Sequence, residues 1–152
     1  MTAAIRIEAA YAEDPDAVFR AAVRYDELAE AMKGIAAYEG LPAGEAQEGQ
    51  TFDVTVTFWG WMKNPPHTIH VETRDDAARL LQSREHGSWI RRWDHRLQVL
   101  PDERGARWVD EIVIDGGWRT FTAAMFARYV YTTRHKARNA LEITARNAKA
   151  AS

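Results

Sequence analysis

No cysteine occurs in the 152-residue chain, so disulfides, thiol nucleophiles and thiolate metal sites are excluded. No apolar run approaches the ~20 residues of a membrane span. The first residues, Met1 to Glu13, alternate like a strand. They lack a basic segment followed by an apolar stretch, so no secretory leader is expected and a cytoplasmic location is. A dominant charge sign is also missing: 20 Lys and Arg stand against 22 Asp and Glu, for a net charge of -2. That balance implies neither a nucleic-acid surface nor a membrane surface. Repeats, linkers and low-complexity segments are absent. Proline and glycine are absent beyond Gly117.

What is present is a core. Hydrophobic residues make up 46% of the chain, which suits one domain over residues 1–152. Six tryptophans are a high number, and several are interleaved with Arg and His. Ile5, Ile7 and Ala9 alternate with Arg6 and Glu8, the pattern of a half-buried strand. Asp14-Pro15 reads as an N-cap followed by proline at the first helical position, with Val18, Phe19, Ala22 and Val23 forming an apolar face. A second short helix is expected from Tyr25 to Lys33, and a short strand from Ile35 to Tyr38. Phe52, Val54, Val56 and Phe58 share one face of the next strand. His67, Ile69 and Val71 share a face of another. A further strand, of unassigned facing, covers Ala78 to His86. From Trp89 to Leu100, one face carries Trp89, Arg91, Trp93, His95, Leu97 and Val99. After a hairpin loop, Trp108, Asp110, Ile112 and Ile114 alternate with Val109, Glu111 and Val113.

With no proline or glycine to stop it, the segment from about Trp118 to Ala148 reads as one long helix. Thr122, Phe126, Tyr129, Val130, Thr133, Ala137, Ala140, Leu141 and Thr144 form its apolar stripe, and Arg128, His135, Arg138, Glu142 and Arg146 lie opposite. Short turns between consecutive strands require antiparallel neighbours. The expected fold class is therefore α+β: a curved antiparallel sheet of about six to seven strands around a long C-terminal helix, with two short helices after the first strand.

That order resembles the START / Bet v 1-like (SRPBCC) superfamily and its helix-grip fold over essentially the whole chain. Asp14-Pro15-Asp16-Ala17-Val18-Phe19 is similar to the start of the family's first helix. Trp93-Asp94-His95-Arg96-Leu97 and Trp108-Val109-Asp110-Glu111-Ile112 resemble the paired strands of bacterial polyketide-cyclase-like members. Phe126-Ala127-Arg128-Tyr129 and Arg134-His135-Lys136 resemble their C-terminal helix. The resemblance implies a cavity between sheet and helix and a hydrophobic or aromatic ligand, lipid- or polyketide-like. Members range from carriers and receptors to cyclases and dehydratases, so the fold does not settle the function.

His95 shares a face with Trp93 and Leu97, and Asp110 lies on the matching face of the partner strand. The two are a candidate acid/base couple or a structural tie between strands. Arg91, between Trp89 and Trp93, is a candidate for a ligand's carboxylate or phosphate, or else a cation–π stack. His67 is placed at the cavity mouth or in packing near the Pro65-Pro66 turn. Phe58, Phe126 and Tyr129 complete the expected ligand-binding set. The five histidines have no HxH or HExxH spacing, so neither a metal site nor a cofactor is expected. His135 reads as a surface residue. Trp59 and Trp61 read either as a lid or homodimer contact, or as turned inward by a bulge at Gly60. Three functions compete: a binding module for an apolar or aromatic small molecule, a cyclase or dehydratase using His95 and Asp110, and an interaction protein whose tryptophans fill the core. Nucleic acid is not expected as a partner.

Overall fold

A computed structural model describes residues 1–148; residues 149–152, the end of the domain expected over 1–152, lie outside them. Strand β1 (Ala3–Tyr11) sends Ile5, Ile7, Ala9 and Tyr11 into the core. Asp14 caps α1 (Pro15–Ala22), its carboxylate accepting from the amides of Asp16 and Ala17 at 3.0 and 3.4 Å. Helix α2 (Tyr25–Ala31) follows. Then come β2 (Ala36–Glu39), β3 (Thr51–Phe58), β4 (Met62–Lys63), β5 (His67–Asp75), β6 (Leu80–Gly87), β7 (Arg92–Asp102) and β8 (Gly105–Asp115). A single 3-10 turn (Gly117–Arg119) leads into α3 (Thr120–Ala137), and β9 (Glu142–Ala148) follows. The strands form one antiparallel sheet in the order β2-β3-β5-β6-β7-β8-β1-β9, with β4 paired to β3.

This is the α+β helix-grip arrangement, with two strands beyond the expected six to seven. One is the two-residue β4. The other, β9, corrects the helix expected to run to Ala148. Helix α3 stops at Ala137 because Asn139 adopts the left-handed conformation, φ 59°, that suits asparagine after a helix end. The amide of Ala140 then bonds back to the carbonyl of His135 at 3.1 Å, and that of Leu141 reaches the carbonyl of Ala10 at 2.7 Å. From there the chain pairs with β1, Ile143 opposite Ala9 and Ala145 opposite Ile7.

The buried face of α3 is also rotated from the expected one. Thr120, Ala127, Arg134 and His135 are buried, and Ala123, Ala124 and Tyr131 pack against the β1–β8 core. The stripe expected through Thr122, Phe126, Tyr129 and Thr133 is offset by one position, about 100°. Small side chains let the helix lie close to the sheet, and polar ones are buried because partners meet them.

One half of the grip is filled. Ile5, Ile7, Leu97, Val99, Trp108, Ile112 and Ile114 have at most 2% of their surface exposed. Helix α3 lies on this half, against β1, β8 and β9. On the β5–β6–β7 wing the inward-facing His67, Ile69, Leu81, Glu85 and Trp93 are only half-buried. A strip of half-buried side chains, here termed the trough, lies between α3 and that wing. Phe58 and Phe126 meet edge to face across one end of it, centroids 4.7 Å apart. Two open clefts lie elsewhere: about 320 Å³ beside Tyr11, Glu27 and Arg138, and about 540 Å³ beside Glu48 and Arg74. Both are edged by charged side chains that belong to the surface.

The strand and helix readings of the C-terminal segment assign opposite weights to two neighbours. Ile143 packs on the core while Leu141 is 56% exposed. Ile143→Ala is expected to cost about 1–2 kcal/mol, and Leu141→Ala less than about 0.5 kcal/mol. Urea unfolding of the two variants measures the contrast.

Candidate functional site

The polar centre of the interior is built on Asp110 of β8, which is fully buried. Its register sets Asp110 opposite Leu97 and His95 opposite Ile112, a diagonal neighbour pair on the concave face. His95 Nε2 lies 2.8 Å from Asp110 Oδ1. Trp108, two residues before Asp110 on the same face, donates its indole N–H to the same oxygen at 3.0 Å. The other oxygen, Oδ2, is 3.0 Å from Nε2 of His135 on α3. Nδ1 of His135 is in turn 2.7 Å from the hydroxyl of Tyr11.

The charge states follow from this geometry. Burial alone would push the Asp110 carboxyl up, but the hydrogen bonds from His135 and His95 overcome it and hold the group below the usual carboxylate range. Tyr11 is pushed up to about 12 by burial, so its hydroxyl keeps its proton beside His135 Nδ1. His135 then donates through Nε2 to Asp110. By the same rule His95 donates through Nε2, which leaves Nδ1 as the nitrogen turned away from Asp110. That nitrogen has no hydrogen-bond partner among the described residues and is not sealed from solvent. His95 keeps 12% of its side chain exposed, on the face that lines the trough. Tyr131 of α3 packs edge to face on it, centroids 5.0 Å apart, and burial raises that phenol well above its ordinary value.

A buried cation balances the carboxylate. Arg134 stacks over Trp108 at 4.7 Å and donates to the carbonyl of Ala22 at 3.3 Å. Burial pulls its pKa down, and Asp110 acts against that pull. Arg138 covers the same indole at 5.2 Å and pairs with Glu27 of α2 at 3.0 Å.

The expected site residues are thus distributed unevenly. Phe58, Trp93, His95, Asp110 and Phe126 lie on or under the trough. His67 is there too, its Nε2 2.9 Å from Glu85 Oε2 and its ring 6.5 Å from that of Trp93. Arg91 is not. Strand β7 begins at Arg92, and residues 88–91 form a loop in which the Gly87 amide bonds the Ile90 carbonyl at 2.8 Å. Arg91 is 73% exposed and lies 3.7 Å from Asp115, away from the face of Trp93. Tyr129 points outward, 44% exposed, against Trp59 at 6.1 Å. His135, expected on the surface, has no exposed area. Sequence reasoning also missed Tyr11, Trp108, Ser83 and Glu85. The signal for His135 was the alanine series Ala123, Ala124 and Ala127, which marks the side of α3 closest to the sheet. Among the described residues no group of three acidic or histidine side chains converges to hold a metal ion, and no helix is long and apolar enough to cross a membrane.

The sequence matches no family model and no curated protein. Solved structures do resemble the chain. Ara h 8.0201 is 10% identical, with 90% of this chain and 97% of that one covered at a TM-score of 0.65. Protein CV1439 from Chromobacterium violaceum is 11% identical, with 88% and 94% covered at 0.69. TTHA0849 from Thermus thermophilus is 17% identical, with 88% and 92% covered at 0.64. The chain has the Bet v 1-like helix-grip fold. At these identities the likeness is one of fold.

Asp110→Asn tests the network. Removing the charge while its donors stay buried is expected to cost on the order of 3 kcal/mol at pH 7. The native carboxyl titrates below its unfolded value of about 3.9, so its contribution is complete above that pH and is lost as pH falls toward the native pKa. The stability gap between wild type and Asp110→Asn should therefore narrow below about pH 4 in denaturant titrations run from pH 7 to pH 3.

Proposed function

We propose that the protein binds a hydrophobic or aromatic small molecule, lipid- or polyketide-like, in the trough between α3 and the β5–β6–β7 wing. The observation that carries this reading is the free Nδ1 of His95. It is a polar atom without a partner among the described residues, on a wall where His67, Ser83 and Glu85 are bonded to one another, the arrangement that fixes a ligand's polar end. Trp93 and Ile69 supply half-buried apolar area, and a ligand covering them gains roughly 25 cal/mol per Å² before the costs of binding. The helix-grip likeness supports the same reading. His67 is held by Glu85 and serves as wall, while Asp110 acts through His95. Phe58 and Phe126 close the trough's end. A cytoplasmic location goes with this proposal.

The test is a tryptophan-quenching and thermal-shift screen against fatty acids, flavonoids, aromatic polyketides and sterols. A ligand class that binds should lose at least about tenfold in affinity with Trp93→Ala, equivalent to ~1.4 kcal/mol. The variant should stay folded, because Trp93 is only half-buried. Binding of no class would favour the interaction-protein reading.

The fixed tautomer of His95 favours a second reading, an acid–base enzyme of the polyketide cyclase or dehydratase type. In that reading Nδ1 takes a proton from the ligand and Asp110 stabilises the imidazolium. A ligand that is chemically changed by wild type, and that His95→Ala binds without changing, would decide for it.

A further inference from the structure

The free face of α3 and of the 3-10 turn before it carries the opposite of what a surface helix needs. Trp118, Phe121 and Met125 are 81%, 70% and 60% exposed, and Tyr129 is 44% exposed. Spacings of three and four residues put them on one ridge. The β3–β4 turn extends it. Trp59 is 43% and Trp61 75% exposed, and the ring of Trp59 lies 6.2 Å from Phe126 and 6.1 Å from Tyr129. Trp59 also holds a positive φ of 52°, followed by Gly60 at 76°. A tryptophan in that region is strained, and a smaller or polar residue would suit the turn better. Six large apolar side chains in a row exceed the scattered exposure normal for a monomer.

The charges beside the ridge identify what it meets. No Asp or Glu occurs from Gly116 to Leu141, whereas Arg119, Arg128 and Lys136 do, besides Arg134 and Arg138, which are turned in over Trp108. Arg119 stacks over Trp118 at 4.4 Å and over Trp89 at 5.7 Å. Asp115 accepts from the Gly117 amide at 2.9 Å, and Glu39 lies 3.9 Å from Lys63. A second copy docked by a twofold axis would bring this face against itself, arginine toward arginine, with no acid to meet either. An anionic lipid surface has complementary charge. Its interfacial zone takes tryptophan, tyrosine and phenylalanine in contact with acyl chains while arginines reach the phosphates.

We propose that the α3 ridge and the β3–β4 turn form a docking face for an anionic membrane surface, with α3 lying in the plane of the interface. The overall charge of -2 conceals it, because the acids lie elsewhere in the chain. This proposal is independent of the ligand reading, since it needs the outer face of α3 and not the trough.

The full chain is tested by co-sedimentation with large unilamellar vesicles of phosphatidylcholine alone and of phosphatidylcholine mixed with phosphatidylglycerol at roughly 30%. Tryptophan quenching by brominated lipid is read in parallel. Binding is expected to the anionic vesicles, at least about tenfold weaker to neutral ones, and to weaken from about 50 to about 300 mM salt. The triple variant W118A/F121A/M125A, and separately Arg119→Glu, should each reduce partitioning about tenfold or more with unchanged thermal unfolding. Failure to bind overturns the proposal, as does binding that these variants leave unchanged. A dimer in analytical ultracentrifugation that the triple variant dissociates, without vesicle binding, would overturn it and assign the ridge to a second copy instead.

Discussion

A carboxylate with no access to water has to be met by donors from the protein, and Asp110 draws them from three separate elements. Trp108 comes from its own strand, His95 from β7 and His135 from α3. An ionised group buried without such partners would cost many kcal/mol or would take up a proton. The requirement therefore fixes more than one side chain. It sets the register of β7 on β8, because only a diagonal position brings His95 within reach. It sets the rotation of α3, because His135 must face the sheet. Tyr11 completes the chain of bonds and ties the end of β1 to the same point. Leu97, Val99, Ile112 and Ile114 pack tightly around this polar centre.

The same requirement explains which parts of the molecule could be read from sequence. Strand pairing was legible because alternation has a period of two and the hairpin from β7 to β8 fixes facing on both sides; Trp93, His95 and Asp110 fall on the concave face as expected. Asp14-Pro15 announced α1 through local chemistry alone. The helix was harder. Its buried side carries Thr120, Arg134 and His135, polar residues whose partners are distant in the chain, so hydrophobic periodicity pointed to the wrong side. Its end was marked only by Asn139, a weaker stop than glycine, although Leu141-Glu142-Ile143-Thr144 already alternates with β-branched residues. Arg91 illustrates a third failure. A strand's alternation says nothing about where the strand begins, and the loop before Arg92 moves Trp89 and Arg91 off the face that alternation assigns them.

Filling one half of the grip leaves the other half open. Where α3 lies on β1, β8 and β9, alanines bring the two layers close. On its other side the helix packs Phe126 and Val130 on Met32, Ala36 and Phe58, and Tyr131 on His95. The side chains of the β5–β6–β7 wing between these contacts stay half-buried. The trough is lined by groups that are satisfied from behind, with Glu85 bonded to Ser83 and His67 and Asp110 bonded to His95. A wall of this kind presents few polar atoms to whatever enters, and His95 Nδ1 stands out because no described residue bonds to it.

Burying the polar side of α3 leaves its large apolar residues outward. A helix has one rotation about its axis, and the Asp110 network determines it here. Turning α3 by about 100° would bury Phe126, Tyr129 and more of Met125, but it would pull His135 from Asp110 and strip Arg134 from Trp108. The outward ridge of Trp118, Phe121, Met125 and Tyr129 is thus the other side of the interior's electrostatic demand. Sequences that only had to satisfy Asp110 would carry polar residues on that ridge, since nothing in the fold calls for aromatic ones there. Their presence, next to a tryptophan held in a strained turn, places a second constraint on the same helix, and that constraint comes from outside the fold.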